Sequence, residues 1–319
     1  MEGACLVTVS GFITRIIPSR NGVRFSRPPL FIVNSLLLQN TTQKMTKIFV
    51  PSGRLSSKKR DFSQVVRDIR HAVFSVVRSR PLGDGKFMNF CLGSGFFVSS
   101  SVFVTCWHVI DAPNAPHQEG DQYALVNNLD GTNGMKYLIT GGLGKDIHLF
   151  PDLDFAVILC TAKPDQAYMP VGYSDVPVGA EIGVAGYPLA SIIADENGNA
   201  TLDGLVYRVA HGVATAVYRI NWDSGDGHPL KNAPVIEVNF FFVPGNSGGP
   251  VFDAGTGRAY AYVKGLTTPK VVERVEKCTL ISPPENLAKE YIASVHAVYS
   301  IGLTLERVRP QLEQFGVEL

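Results

Sequence analysis

The sequence predicts an all-β fold, a barrel or a sandwich, and three observations predict it. Short runs rich in Val, Ile, Phe and Tyr follow one another from Ala72 to about residue 302. Turn clusters such as Asp130-Gly131 and Gly142-Leu143-Gly144 separate them. The 31 Gly and 20 Pro suit an architecture of strands and turns rather than of helices. A chain of 319 residues that is 45% hydrophobic and 18% charged has enough apolar surface for a substantial core. No apolar run reaches the roughly 18 residues that a membrane-spanning helix needs, so no membrane span is expected.

In chain order, Ser63 to His71 predicts a short helix with Ser63 as its N-cap. Ala72 to Arg78 predicts the first strand. Further strands are expected at 90–98, 102–107, 122–127, 136–140, 154–160, 181–187, 205–220, 234–243, 250–253, 259–266 and 294–302. A boundary between two halves is expected at Thr161 to Pro177, where three prolines fall. Leu305, Val308, Leu312 and Phe315 form an apolar stripe at helical spacing, so a short C-terminal helix is expected; Pro310 marks its start or a kink. The segment Pro269 to Ala297 has no assignable role.

The formal net charge of +1 hides an asymmetry. Residues 1–60 hold ten Lys/Arg and one acid, Glu2; the remaining 19 basic and 27 acidic residues leave the rest at −8. An acidic body argues against a nucleic-acid partner, which would need a basic footprint. The basic leader resembles an organelle transit peptide in composition. It lacks the cleavage pattern of a secretory signal, and the preferred reading is translation from Met45 with residues 1–60 outside the fold. Unpaired cysteines at 5, 91, 106, 160 and 278 favour a reducing, cytoplasmic setting. No Cys-x-x-Cys or His-x-x-x-His spacing indicates zinc, and no metal or other cofactor is expected. The acidic loops at 195–199 and 223–227 lack the EF-hand pattern and read as hairpin turns.

One run carries chemistry. Val243-Pro244-Gly245-Asn246-Ser247-Gly248-Gly249-Pro250 frames Ser247 with three glycines and two prolines. A nucleophilic serine needs a sharply bent backbone that projects Oγ and aims N–H groups at a developing oxyanion. Two partners stand upstream at the edges of apolar strands: His108 after Val102-Phe103-Val104-Thr105-Cys106-Trp107, and Asp154 before Phe155-Ala156-Val157-Ile158. A serine hydroxyl needs a base, and the imidazole needs a carboxylate to fix its tautomer. The candidate catalytic residues are therefore His108, Asp154 and Ser247. Gly245-x-Ser247-x-Gly249 also fits an α/β-hydrolase elbow. That fold places its acid and histidine after the serine, where only Asp253 and His296 follow.

In these motifs the chain resembles the trypsin-like serine proteases of chymotrypsin fold, and within them the HtrA-type protease domain. Gly93-Ser94-Gly95-Phe96-Phe97-Val98, with the strand leading to His108, resembles the family's histidine motif. Asp154-Phe155-Ala156-Val157 resembles its aspartate motif. Val184-Ala185-Gly186-Tyr187-Pro188-Leu189 resembles its Gly-x-Pro turn. The resemblance covers about residues 65–316. It implies two six-stranded antiparallel β-barrels, at about 65–165 and 178–303, and a C-terminal helix at about 304–316. No PDZ domain is expected after Leu319, and the Ile-Val-Gly-Gly start of activated digestive enzymes is absent.

The resemblance further implies an endopeptidase whose partner is a protein or peptide substrate. The backbone N–H groups of Gly245, Asn246 and Ser247 would form the oxyanion hole. Tyr262, Val263, Lys264 and Gly265 would dock the substrate as an added strand. Phe241, six residues before the serine, would line the floor of the primary pocket and favour small or medium apolar residues.

Overall fold

A computed structural model of the chain describes residues 53–56, 58–83, 86–113, 115–129, 134–139, 141–163, 165–173, 175–188, 191–194, 200–203, 205–223, 228–267 and 299–318. In the leader it describes the backbone of four short strands: β1 (Leu6–Val9), β2 (Phe12–Ile17), β3 (Arg24–Phe25) and β4 (Val33–Asn34). Residues 195–199, 224–227, Cys278 and the 269–297 segment lie outside the described residues, as does most of the leader.

The fold is mostly β, in two antiparallel sheets. The first holds β5 (Val73–Gly83), β6 (Lys86–Phe97), β7 (Val102–Thr105), β8 (Gln122–Asn127), β9 (Gly134–Ile139), β10 (Ile147–Phe150) and β11 (Phe155–Leu159). Their order is β10-β11-β7-β6-β5-β8-β9, with β4 paired to β6. Seven strands thus curl in an open path where a ring of six was expected. Between the two edges, β9 and β10, Gly141 N–H donates to the Asp146 carboxylate, Gly144 N–H to Ile147 O, and Asp146 O accepts from Leu159 N–H of β11. β7 and β11 carry Val, Phe and Ile on both faces, and nearly every residue in them is buried.

The second sheet closes into a six-stranded barrel, as expected. Its strands are β12 (Glu181–Gly186), β15 (Arg208–Trp222), β16 (Leu230–Val238), β17 (Pro250–Asp253), β18 (Ala259–Thr267) and β19 (Tyr299–Thr304), in the order β12-β15-β16-β19-β18-β17. A two-stranded hairpin, β13 (Ser191–Ala194) with β14 (Ala200–Asp203), stands outside it; its strands were not expected, but they flank 195–199, the segment read as a hairpin turn. The proline-containing connector touches both sheets: Met169 N–H donates to Phe97 O, and Gly172 N–H to Ala259 O. One apolar core runs from Phe74, Phe97 and Phe103 through Tyr262 to Ile301, Leu303 and Leu312. A second, smaller cluster around Val184, Ile236, Val251 and Val263 fills the barrel.

Helices are few. α1 (Phe62–Ile69) has Asp61 at its N-cap position, two residues before the expected Ser63; the Asp61 side chain bonds no helix N–H and accepts instead from the Ser63 hydroxyl. α2 (Trp107–Ile110) is a single turn. A 3₁₀ turn (Leu305–Val308) leads into α3 (Arg309–Gln314). Residues 53–56 and 58–60, grouped by charge with the leader, lie on the body. Leu55 is buried and its N–H donates to Tyr168 O, while Tyr168 N–H donates to Gly53 O. Arg60 binds Asp68 and donates to Thr256 O.

Candidate active site

Strand pairing brings the histidine and the aspartate together. β7 and β11 run antiparallel with Thr105 opposite Ala156. Continuing that register sets the residues just after β7 beside those just before β11. There the strand expected to reach Trp107 stops at Thr105, and His108 sits in α2. Asp154 follows a 3₁₀ turn (Pro151–Leu153) with φ 48° and ψ 44°. This left-handed backbone is uncommon for a residue with a Cβ, and Asp is among the side chains that tolerate it.

The pair is well formed. His108 Nδ1 is 2.9 Å from both Asp154 oxygens, and His108 N–H donates to Oδ1 at 3.1 Å. With Nδ1 donating, Nε2 is left as the basic nitrogen. Lys264 Nζ lies 2.8 Å from Asp154 Oδ2, with both side chains buried. Burial alone would raise the Asp154 carboxyl. The His108 charge and hydrogen bond, then those of Lys264, outweigh it and hold the group at about 2. Asp154 is thus a carboxylate at any pH at which the fold is expected to work.

Ser247 arrives from the second barrel. Val243 to Asn246 form a turn with Pro244 and Gly245 at its centre, closed by Asn246 N–H donating to Val243 O at 3.0 Å. Gly245 has φ 95°, the positive value that the third position of a type II turn demands. Next, Gly248 has φ 82°, and a Cβ there would stand 2.2 Å from Thr105 Oγ1 and 2.3 Å from Ser94 O. The serine loop therefore presses directly on the strand end that precedes His108. Two bonds lock it: Ser94 N–H donates to Ser247 O at 2.9 Å, and Gly248 N–H donates to Val263 O at 2.9 Å.

Three expectations need correction. Asn246 N–H is consumed by the turn and is no oxyanion donor, whereas the N–H groups of Gly245 and Ser247 have no partner among the described residues. Phe241 is 70% exposed, so it is no pocket floor; its neighbour Phe242 turns into the barrel core, and Phe241 points the other way. Tyr262 and Val263 are fully buried. The Tyr262 hydroxyl donates to Leu153 O at 2.8 Å, and Val263 N–H donates to Gly249 O at 2.9 Å, so neither is left to meet a substrate. Beyond them, β17 has ended at Pro250, opposite Tyr262. From Lys264 to Thr267, β18 has β19 on one side and no paired strand on the other among the described residues.

Ser94 was quoted only as part of a motif, yet it organises the site. Fully buried on β6, its hydroxyl donates to Gly245 O at 2.6 Å and accepts from Tyr187 N–H at 2.8 Å. Cys106 is also close, and its thiol reaches Val263 O at 3.1 Å. Cys106, His108 and Asp154 hold donor atoms within 4.8 Å of one another. They do not suit a metal: burial keeps the thiol protonated, and the carboxylate is already shared by an imidazole and an ammonium. The Ser247 hydroxyl makes no hydrogen bond among the described residues. Such bonds are commonly long in ligand-free enzymes and tighten with substrate.

Comparison with known proteins bears on the family and the fold. Residues 93–261, a little over half of the chain, match the trypsin-like peptidase domain. The chain belongs to the trypsin-like peptidase family. No curated protein sequence matches it. Among solved structures, the Rv3671c protease of M. tuberculosis in its active form is similar at 16% identity and a TM-score of 0.50, over 88% of this chain and 96% of that one. The HtrA-type protease AlgW, solved with a decapeptide, is similar at 17% identity and a TM-score of 0.52, over 80% of this chain and 67% of that one. At these identities the two structures speak for the fold of this trypsin-like peptidase.

Proposed function

We propose that the chain is a serine endopeptidase that cleaves protein substrates through an acyl-enzyme. The observation that carries the reading is the His108 imidazole held by both oxygens of Asp154, with the Ser247 loop packed against the strand that ends beside it. In the proposed sequence, Ser247 Oγ attacks the scissile carbonyl while His108 Nε2 takes its proton. The oxyanion is met by the N–H groups of Gly245 and Ser247. The tetrahedral intermediate collapses as His108 returns the proton to the leaving amine, and water then repeats the steps on the acyl-serine. The substrate backbone adds to the open edge of β18 from Lys264 onward, a docking mode set by main-chain hydrogen bonds.

Labelling with a fluorophosphonate probe tests the proposal. The wild-type chain should react at Ser247 and hydrolyse an unfolded protein, and Ser247→Ala should do neither while melting at the same temperature. Labelling of the Ser247→Ala variant would assign the nucleophile elsewhere. A folded wild-type chain that never labels would overturn the protease reading.

A further inference from the structure

The long hairpin of the second barrel reaches the first sheet beside the candidate triad. β15 and β16 pair from Ala214 with Val238 out to Trp222 with Leu230. Between Ile220 and Trp222 the register shifts: β16 carries an extra residue there, Asn232 has φ 48°, and such an irregularity bends the ribbon. Past the bend the hairpin meets the other half of the molecule. The His228 ring packs edge-on against Trp107 of α2, with centroids 4.9 Å apart, and its Nδ1 lies 3.3 Å from Asp152 Oδ1 in the turn before Asp154. The Trp222 ring centre stands 5.3 Å from Lys264 Nζ, which is itself 2.8 Å from Asp154 Oδ2. Trp222 is half-buried, packed on the main core with part of the residue left uncovered.

We propose that Trp222 is a specificity residue: its indole walls the substrate channel beside His108 and selects an apolar or aromatic side chain at the second residue before the cleaved bond. The proposal rests on the protease reading. On that reading a substrate strand pairs with β18 from Lys264 onward and brings its scissile carbonyl to Ser247, so it passes the end of β18 that Trp222 flanks. β18 supplies no side wall of its own there. Lys264, expected to hold substrate, turns its amine inward to Asp154. Gly265 has no side chain, and a Cβ built on it would meet nothing within 4 Å. Among the described residues, the element that stands beside this bare stretch is the hairpin.

Side chains alternate along a strand, so successive substrate residues face opposite sides of the channel, and one set faces the flank of the triad. An indole there offers a large apolar area with little freedom to lose on binding. A Leu or Phe side chain buried against it should gain about 10-fold over Ser or Gly. The rim also carries an acid, Asp152, which is 88% exposed. Water screens that charge, so it competes poorly with the ring as a source of selectivity.

Cleavage of a peptide library, read by mass spectrometry and followed by kcat/KM on matched peptides, tests the proposal in the wild-type chain, Trp222→Ala, Trp222→Phe and Trp222→Leu. The wild type should favour Leu, Phe or Tyr over Ser or Gly by about 10-fold at the second residue before the cut. Trp222→Ala should reduce that ratio to about twofold or less, through KM more than kcat, and Trp222→Phe should restore most of it. Trp222→Leu keeps apolar bulk on the core and stands in if the Ala variant does not fold; it should lose the preference for aromatic over aliphatic residues. A wild-type profile that is flat or favours Lys or Arg at that position overturns the proposal alone. So does a preference left unchanged in a folded, fluorophosphonate-labelled Ala or Leu variant. A folded wild-type chain that never labels overturns the protease reading, and this proposal with it.

Discussion

Ser94→Ala should damage both stability and the serine site, by amounts that follow from its two bonds. The hydroxyl sits where three segments meet: β6, which carries it, the end of β12 through Tyr187 N–H, and the serine turn through Gly245 O. Alanine keeps the Cβ and removes one oxygen. The Tyr187 N–H is buried and has no other acceptor among the described residues, so leaving it unpaired costs about 1–3 kcal/mol. The Gly245 carbonyl is half-buried and can turn to water, so its loss costs about 0.5–1.5 kcal/mol. Together the loss is about 2–4 kcal/mol. For a body of this size that corresponds to a fall in Tm of about 5–15 °C. The kinetic effect is separate. Gly245 O is the anchor that fixes the residue whose N–H faces the proposed oxyanion. Loss of one such donor typically costs about 10²–10³-fold in rate, and misalignment should cost up to that amount. Differential scanning calorimetry reads the first effect and the fluorophosphonate labelling rate reads the second. A variant within about 2 °C of the wild type and labelled within about twofold of its rate would refute the idea that Ser94 pins the turn.

Other outcomes follow from buried charge, packing and thiol chemistry. Asp121→Ala should lower stability by about 3–5 kcal/mol in urea titration, because the buried Arg78 and the adjacent Arg80 lose their carboxylate. Although burial alone would raise it, that carboxyl is held low by Arg80, Gln118 N–H and Arg78; its contribution should be complete above about pH 4 and fade as the pH falls further. A chain that begins at Asp61 should be less stable than one that begins at Met45, by about 1.5–3 kcal/mol for the exposure of the Leu55 pocket alone; equal melting temperatures would show that residues 53–60 are dispensable. In the native chain at pH 8, Cys91 and Cys160, both pushed up to about 12 by burial, should resist iodoacetamide and react in urea, as read by mass spectrometry.

The parts of the site that were legible in the sequence are those whose chemistry restricts residue type. The serine turn needs positive φ at Gly245 and a close approach at Gly248, so glycine and proline mark it. His108 and Asp154 stood at the ends of apolar strands, and the pairing of those strands is what joins them. What escaped depends on which way a side chain turns. Val263 is fully buried and the side chain of its neighbour Lys264 is only 9% exposed, because a register shift between Val263 and Gly265 breaks the alternation of faces. That irregularity turns Lys264 from a surface strand residue into a partner of Asp154, and nothing in the order of residues announces it. Phe241 escaped for another reason: the strand expected over 234–243 ends at Val238, so no alternation of faces governs Phe241 and Phe242. Trp107 to Ile110 continue an apolar run that reads as strand, and a single helical turn is too short to show a period of its own.

The two sheets meet at the site through polar atoms as well as through the core. Tyr262 on β18 donates to Leu153 O, one residue before the aspartate. From the first sheet, the Cys106 thiol reaches Val263 O, two residues before the histidine. Lys264 binds Asp154 itself, and Ser94 holds both Ser247 O and Gly245 O. The contacts bracket each candidate catalytic residue at its own backbone, so the cleft cannot widen without leaving several buried donors and acceptors unpaired at about 1–3 kcal/mol each. Relative motion of the two halves is therefore expensive compared with the movement of a single side chain. The cost falls on the contacts that set the distance from the serine loop to His108. Such a site is held together by the fold, and on the proposed reading what remains for a substrate to adjust is the rotamer of Ser247 and the open edge of β18.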